Sequence, residues 1–392
     1  MRVALVFPDF LSSMAFGRDF IKALGRDLDN QVYVITPVEG HHEELKTLKV
    51  TYFDIDMYRF ISPLKDLRYL HKLYQIFSQQ NIEVVISWTH KPNIYGTFAA
   101  KLAGVKTVIC AIRGLGLVFL EEISPKAKLL KAFVSLLYRI VGKLCNKIWF
   151  TNPDDLYYFI RKGLVTRSKS LLTSNAIDIK YFSTAAVSPE KLGQLRQELG
   201  LPSSGRVVVM VGRMIWSKGV REFIEASQLL KDKFPQVTFL LVGPLDQGTP
   251  YAVPEEYLRD SEKSGNFRWL GFRRDVRELY ALADLAVLPS YYMEGGYPRA
   301  VLEPMALGKP VITTDTPGCR APVAPGKNGF LIPPKDSQAL AEAMEKLLQN
   351  EPLRREFGQC SRRKVEREFD ERLVTEKIIR EVSVLSGKNY LK

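Results

Sequence analysis

Short apolar runs alternate along the whole chain with longer stretches in which apolar positions recur every three or four residues. Runs such as Val-Val-Val-Met-Val-Gly at 207–212 and Thr-Phe-Leu-Leu-Val-Gly at 238–243 are apolar on both faces, as suits parallel strands covered by helices on each side. The pattern predicts strands at 2–7, 31–36, 83–88, 107–112 and 147–151, and again at 206–212, 237–243, 267–271, 285–289, 310–314 and 329–332. Strand and helix in alternation predict an α/β fold with doubly wound sheets. The alternation restarts after a stretch at 173–188, so two Rossmann-like domains are expected, at 1–175 and 176–370. A last helix at 369–386, apolar at Phe369, Leu373, Val374, Ile378, Ile379 and Val382, fills most of the closing segment 371–392, which could return to the first domain.

Length agrees with two domains, since 392 residues exceed one ordinary core. Four scattered cysteines without CxxC or Cys/His spacing argue against a zinc site or a disulfide frame and for a reducing compartment. The opening residues Met-Arg-Val-Ala-Leu-Val-Phe lead straight into Pro8 and Asp9 and read as a strand, not a signal peptide. No uncharged run reaches the roughly 18 residues of a spanning helix. A cytoplasmic protein, peripheral on the inner face of the cell membrane, is the expectation.

Charge is uneven. The first 172 residues hold 24 Lys and Arg against 15 Asp and Glu, and the remainder 32 against 28. An anionic partner for the first half follows: phospholipid, a diphosphate-linked acceptor or nucleic acid. Residues 126–147 set Leu129, Leu130, Phe133, Leu136, Leu137, Ile140, Val141 and Leu144 among six cations, Lys126, Lys128, Lys131, Arg139, Lys143 and Lys147. Such a helix suits an anionic membrane surface; a core-facing helix with solvated lysines is the alternative.

The strongest chemical signal is the strand ending in Gly212, followed by Arg213 and, five positions on, Lys218. A guanidinium fork and a mobile ammonium at the carboxyl edge of a parallel sheet make a diphosphate clamp; two solvated loop cations are the alternative. The second signal is Glu294-Gly295-Gly296-Tyr297-Pro298-Arg299, running on to Glu303. Glycine lets backbone approach a ligand, and Pro298 starts a helix whose free N–H groups face phosphate oxygens. Glu303, about a turn and a half along, can accept from ribose hydroxyls, and Glu294 from those of the transferred sugar. The plainer alternative is a capped surface helix with a loop carboxylate.

These pieces, with Leu241-Val242-Gly243, Leu270-Gly271-Phe272-Arg273-Arg274-Asp275-Val276, Gly308-Lys309-Pro310-Val311 and Asn328-Gly329-Phe330-Leu331, stand in the order found in glycosyltransferase family 4. The chain resembles those retaining enzymes of the GT-B fold, in which two Rossmann-like domains face across a cleft. The resemblance implies that Arg213 and Lys218 hold the donor diphosphate with Gly296, Pro298 and Arg299, that Gly271 and Phe272 lie at the base, and that Glu303 binds ribose. It places Glu294 and a first-half histidine at the donor sugar as catalytic residues. His90, in Trp88-Thr89-His90-Lys91-Pro92-Asn93-Ile94-Tyr95-Gly96, is the histidine that matches. Lys91 and the loop Arg113-Gly114-Leu115-Gly116 resemble the bacterial branch that extends undecaprenyl-diphosphate-linked sugars, and so imply an acceptor side. Two departures stand out. Eight residues separate Glu294 from Glu303 where the family has seven, and the loop at 8–17 lacks the family's Gly-Gly pair.

The implied reaction moves a hexose or N-acetylhexosamine from a nucleotide sugar, UDP first among candidates, to a lipid-linked saccharide acceptor. No cofactor or metal is expected, because Arg213, Lys218 and a helix start can meet the leaving diphosphate's charge and no DxD between apolar strands occurs. A nucleotide-sugar 2-epimerase of the same architecture and a basic nucleic-acid-binding protein are the alternatives; the second lacks the aromatic and basic interleaving of the known modules, so no nucleic acid partner is expected.

Overall fold

The computed structural model describes residues 1–25, 30–38, 40–42, 45, 48, 50–58, 61–119, 124–246, 249, 251–263, 267–292, 294 and 296–387. The chain forms two compact units, Met1–Ser174 together with the chain from Arg372 onward, and Asn175–Glu371.

The first unit runs β1 (Arg2–Val6), α1 (Arg18–Gly25), β2 (Gln31–Thr36), β3 (Thr51–Asp54), α2 (Pro63–Gln79), β4 (Val84–Trp88), α3 (His90–Leu102), β5 (Thr107–Ile112), α4 (Pro125–Leu144), β6 (Lys147–Phe150), α5 (Pro153–Arg161) and β7 (Ser170–Leu172). Its seven strands pair in parallel in the order β3-β2-β1-β4-β5-β6-β7. Every residue of β4 and β5 is buried, which explains their unbroken apolar runs. β3 and β7 were not expected from the sequence. Both are short edge strands: β3 is exposed at its ends and β7 has three residues, too few for a period to register.

The second unit runs α6 (Pro189–Glu198), β8 (Arg206–Val211), α7 (Val220–Leu230), β9 (Val237–Val242), α8 (Glu255–Lys263), β10 (Phe267–Trp269), α9 (Val276–Leu282), β11 (Leu285–Leu288), α10 (Arg299–Ala306), β12 (Val311–Thr314), β13 (Gly329–Ile332), α11 (Ser337–Gln349) and α12 (Glu351–Glu368). Six parallel strands lie in the order β10-β9-β8-β11-β12-β13. Both sheets are therefore doubly wound. Strand order reverses between β1 and β4 in one and between β8 and β11 in the other, and such switch points open a crevice at the strands' carboxyl ends.

The final helix, α13 (Glu371–Ser386), buries Val374, Ile378, Ile379 and Val382. From Arg372 on it belongs to the first unit, where Lys377 Nζ donates to Leu172 O at 2.8 Å. The segment just before it stays with the second unit, since Ile177 and Asp370 form a parallel bridge.

Candidate active site

At the switch point of the second unit, β8 ends and the chain turns through Gly212 and Arg213 into a single turn of 3-10 helix at Trp216–Lys218. The turn is fixed by close backbone approach. Gly219 holds φ +83°, and a Cβ there would lie 2.3 Å from Pro289 O. Gly243 sits so close to the end of β8 that a Cβ would meet Gly212 O. Only glycine satisfies both conditions, so the positions of Arg213 and Lys218 are set by backbone.

A cavity of about 400 Å³ opens here, lined by Arg213, Lys218, Glu294, Pro298, Arg299 and Glu303 among others. Six residues singled out in the sequence thus meet in one place. Their charges are paired. Lys218 Nζ lies 2.5 Å from Glu294 Oε1, the two side chains 14% and 9% exposed, and Ser290 Oγ donates to the same oxygen at 2.7 Å. Arg213 Nη1 reaches Asp246 Oδ2 at 2.8 Å, and Arg299 Nε donates to Glu303 Oε1 at 2.9 Å. Burial raises the Glu303 carboxyl pKa above its ordinary value, with Arg299 opposing the shift.

The loop carrying Glu294 rests on a residue sequence reading passed over. Gly318, φ +83°, leaves no room for a Cβ, which would fall 2.6 Å from Gly296 O and 2.9 Å from Glu294 O. Gly296 holds φ +104°, and its N–H donates to Glu294 O at 3.0 Å. Gly295 lies outside the described residues. Asn175 Nδ2 donates to Tyr297 O at 2.6 Å, tying the loop to the stretch read as a linker. That stretch also brings Tyr181 and Phe182 into the cavity wall, and no spacing signal marked them. Of the two residues expected at the base, Gly271 has φ +64° and Phe272 is 67% exposed; neither lines the cavity, whose wall takes Arg274, Val276 and Arg277 from the same segment.

In the first unit, Thr89 adopts φ +72°, strained for a β-branched residue, and presents His90 at the start of α3. Both ring nitrogens are engaged. Nε2 lies 2.9 Å from Leu115 O, which can only accept, so this nitrogen carries the proton. Nδ1 then accepts from Tyr138 Oη at 2.8 Å, and Asn93 Nδ2 links Tyr138 Oη to Ala111 O. Burial pushes the imidazole pKa down despite the bond to Leu115, keeping the ring neutral. Gly116, φ +60°, packs on His90, a Cβ there falling 3.2 Å from Nε2. His90 therefore clamps the loop of Arg113 and Gly114 (φ +126°). Lys91 turns away from that loop: its ammonium meets the buried Asp66 Oδ1 at 2.5 Å and Tyr58 O at 2.8 Å, with Tyr95 Oη on Asp66 Oδ2. The Arg113 guanidinium lies 5.9 Å from the Trp149 ring.

Replacing His90 with Phe would keep the packing but leave the Tyr138 hydroxyl proton without its acceptor and Leu115 O without its donor. At about 1–3 kcal/mol for each buried group left unsatisfied, the unfolding midpoint in urea should fall, and an unchanged midpoint would show the clamp to be idle.

A larger cavity of about 660 Å³ lies elsewhere in the first unit, with Lys65, Arg68 and Lys72 opposite Asp54 and Asp56. It holds none of the motif residues. Among the described residues there is no group of three or more His, Cys, Asp or Glu able to hold a metal ion, and no helix long and apolar enough to cross a membrane.

Residues 15–175 match the family described as Glycosyl transferase 4-like, and residues 193–364 the family described as Glycosyl transferases group 1. The chain is a glycosyltransferase of these families. It is 28% identical over 381 residues to the N,N'-diacetylbacillosaminyl-diphospho-undecaprenol alpha-1,3-N-acetylgalactosaminyltransferase of Campylobacter jejuni, covering 97% of this chain and 98% of that one. It is also 28% identical over 298 residues to the Escherichia coli UDP-Gal:alpha-D-GlcNAc-diphosphoundecaprenol alpha-1,3-galactosyltransferase, covering 75% and 74%. Its fold matches that of the Anabaena protein HepE in complex with UDP, with TM-score 0.78 and 21% identity over 98% of this chain and 100% of that one. A Rickettsia africae glycosyltransferase superposes at TM-score 0.82 with 19% identity, over 98% of both chains. The GT-B expectation holds. Nothing in these matches supports the 2-epimerase alternative.

Proposed function

We propose that this glycosyltransferase moves a hexose or N-acetylhexosamine from UDP to a saccharide carried on a lipid diphosphate, with retention and without a metal ion. The observation that carries the donor half is the single cavity gathering Arg213, Lys218, Glu294, Arg299 and Glu303 around the start of α10. As the anomeric C–O bond breaks, charge grows on the β-phosphate, where two side-chain cations and a helix start favour it over the ground state. Arg213 and Lys218 exchange their carboxylate partners for phosphate oxygens, which leaves Glu294 to meet sugar hydroxyls. Retaining glycosidases place two carboxylates about 5–5.5 Å apart, one of them a nucleophile. Here Glu294 is tied to Lys218 and Glu303 to Arg299, an arrangement that favours a same-face attack assisted by the leaving group. The acceptor half draws on the names of the two curated relatives, both of which contain diphospho-undecaprenol or diphosphoundecaprenol.

Screening UDP-, GDP- and TDP-sugars for thermal stabilisation, then for transfer to a polyprenyl-diphosphate sugar with EDTA present, tests the whole reading. Hydrolysis or epimerisation without transfer to any such acceptor would refute it.

Helix α4 supplies the membrane contact. Its inner stripe, Val134, Tyr138 and Val141, is buried. Its outer stripe, Leu129, Phe133, Leu136, Ile140 and Leu144, is between 38% and 74% exposed, beside the exposed Lys126, Lys128, Arg139 and Lys143. An apolar stripe edged by cations fits the interface of an anionic bilayer. The protein should sediment with vesicles containing phosphatidylglycerol and not with neutral ones, less so at high salt, and the exposed pair Leu129→Glu and Phe133→Glu should release it with UDP binding intact. Sedimentation of the double variant at the wild-type level would rule this helix out.

A further inference from the structure

Five cations line the donor cavity: Arg213, Lys218, Arg274, Arg277 and Arg299. Four are held by carboxylates, Asp246, Glu294, Glu278 and Glu303 respectively for Arg213, Lys218, Arg277 and Arg299. Arg274 is exposed, and among the described residues no hydrogen bond or ion pair engages it. Its neighbour has the opposite fate. Arg273 makes two bonds to Asp275, at 2.8 and 2.6 Å, and a third to Glu198 at 2.8 Å. The loop is thereby anchored through Arg273, and Arg274 is left to the cavity.

Strand order says which part of a bound nucleotide Arg274 would meet. The clamp of Arg213 and Lys218 follows β8, the Glu294 loop follows the adjacent β11, and Arg274 follows β10, two strands out on the other side. Three inter-strand steps separate the loops after β11 and β10, about 14 Å at ~4.8 Å a step, which a nucleotide sugar can span. With the sugar by Glu294 and the diphosphate by β8, the base comes to the β10 end. Aromatic surface is available there: Tyr181 is 47% exposed, with the Arg277 guanidinium 4.2 Å from its ring.

We propose that Arg274 selects the nucleobase by donating to the carbonyl at uracil O4 or guanine O6, where cytosine and adenine carry an amino group, so that the cavity accepts a keto base such as uracil and disfavours an amino base such as cytosine; O2, shared by uracil and cytosine, plays no part in the choice. The inference rests on the donor reading above. A guanidinium carries five N–H donors and no acceptor. Uracil O4 or guanine O6 receives such a donor, whereas the amino groups of cytosine and adenine oppose it, the same chemistry by which arginine chooses guanine in nucleic acids.

UDP and CDP differ at this edge and little elsewhere, so they form the decisive pair. Calorimetric titration of the wild type, Arg274→Ala and Arg274→Gln with UDP, CDP, GDP and ADP tests the assignment. The wild type should bind UDP at least about tenfold more tightly than CDP, a difference of one hydrogen bond's worth. Arg274→Ala should weaken UDP, leave CDP little changed and bring the ratio within about threefold. Arg274→Gln, whose amide both donates and accepts, should bind the two alike. GDP above ADP would extend the rule to purines, and GDP equal to ADP would restrict the site to uracil. Retention of the wild-type UDP to CDP ratio in Arg274→Ala overturns the assignment while leaving the donor reading intact. Failure of all four nucleotides to bind the wild type removes the donor reading and this proposal with it.

Discussion

Replacing Lys218 with Ala should lower kcat/KM for the donor by two to three orders of magnitude, the largest single loss expected in this site. Removing one well-placed group that stabilises developing transition-state charge costs on the order of 10²–10³ in rate, and Lys218 combines that placement with burial, its side chain 14% exposed. A cation shielded from water acts at a lower effective dielectric, where its attraction for phosphate is several times stronger than at the surface. The substitution has a second effect, because Glu294, 9% exposed, is left without its counter-charge and keeps only the bond from Ser290. Arg213 provides the comparison. Its side chain is 46% exposed, so solvent screens it, and Arg213→Ala should cost about tenfold, in keeping with the modest worth of exposed charge pairs. Steady-state kinetics of both variants, with melting curves to confirm folding, check the ordering. Equal small losses would mean that the diphosphate binds elsewhere.

The same contrast between buried and exposed positions explains what could be read from the sequence. Strands β4, β5, β8 and β9 were legible because burial on both faces leaves an uninterrupted apolar signature. β3 and β7, at one end and the other of the first sheet, have no such constraint. Arg213 and Lys218, proposed as the diphosphate clamp, and the Glu294–Glu303 segment were legible as motifs. That they share one cavity follows from strand order, since β8 and β11 are neighbours although more than seventy residues apart in sequence, and local periodicity carries no information about order. The roles of Gly318 and Asn175 are hidden for a related reason: each acts on the Glu294–Pro298 loop across more than twenty residues of chain, through the space a hydrogen atom leaves or a bond to one carbonyl. Lys91, placed on the acceptor side by resemblance, has an ammonium held between α2 and α3 by Asp66 and Tyr58 O, a pairing that no local pattern announces. His90 was found as a residue of interest, and the structure adds the fixed proton on Nε2.

Glu303 offers a prediction in which stability and activity move apart. Its side chain is 12% exposed and has one cationic partner among the described residues, Arg299, itself 40% exposed. Burial raises its pKa, so folding favours the neutral acid over the ionised form. The linkage sign is then set: the stability this group contributes is present below its unfolded pKa and is lost as pH rises towards the folded value. Wherever the group is ionised the charge is kept at a cost, and a neutral amide of the same shape avoids it. Glu303→Gln should therefore melt no lower than the wild type. Its donor binding should suffer, because a carboxylate can accept from both ribose hydroxyls, whereas the amide offers one acceptor and an opposing N–H₂ group. Bonds to a charged acceptor are worth about 1.5–3 kcal/mol each, so losing two in Glu303→Ala should weaken donor binding by about 10²-fold or more, and losing one in Glu303→Gln by about tenfold. Acidification should reproduce the defect in the wild type, with donor affinity beginning to fall at a pH above the ordinary carboxylate range, while the Gln variant stays flat over the same interval. Melting curves and UDP titrations across pH for the three proteins would decide it. A Gln variant that is less stable but binds UDP normally would make Glu303 a structural partner of Arg299 and nothing more.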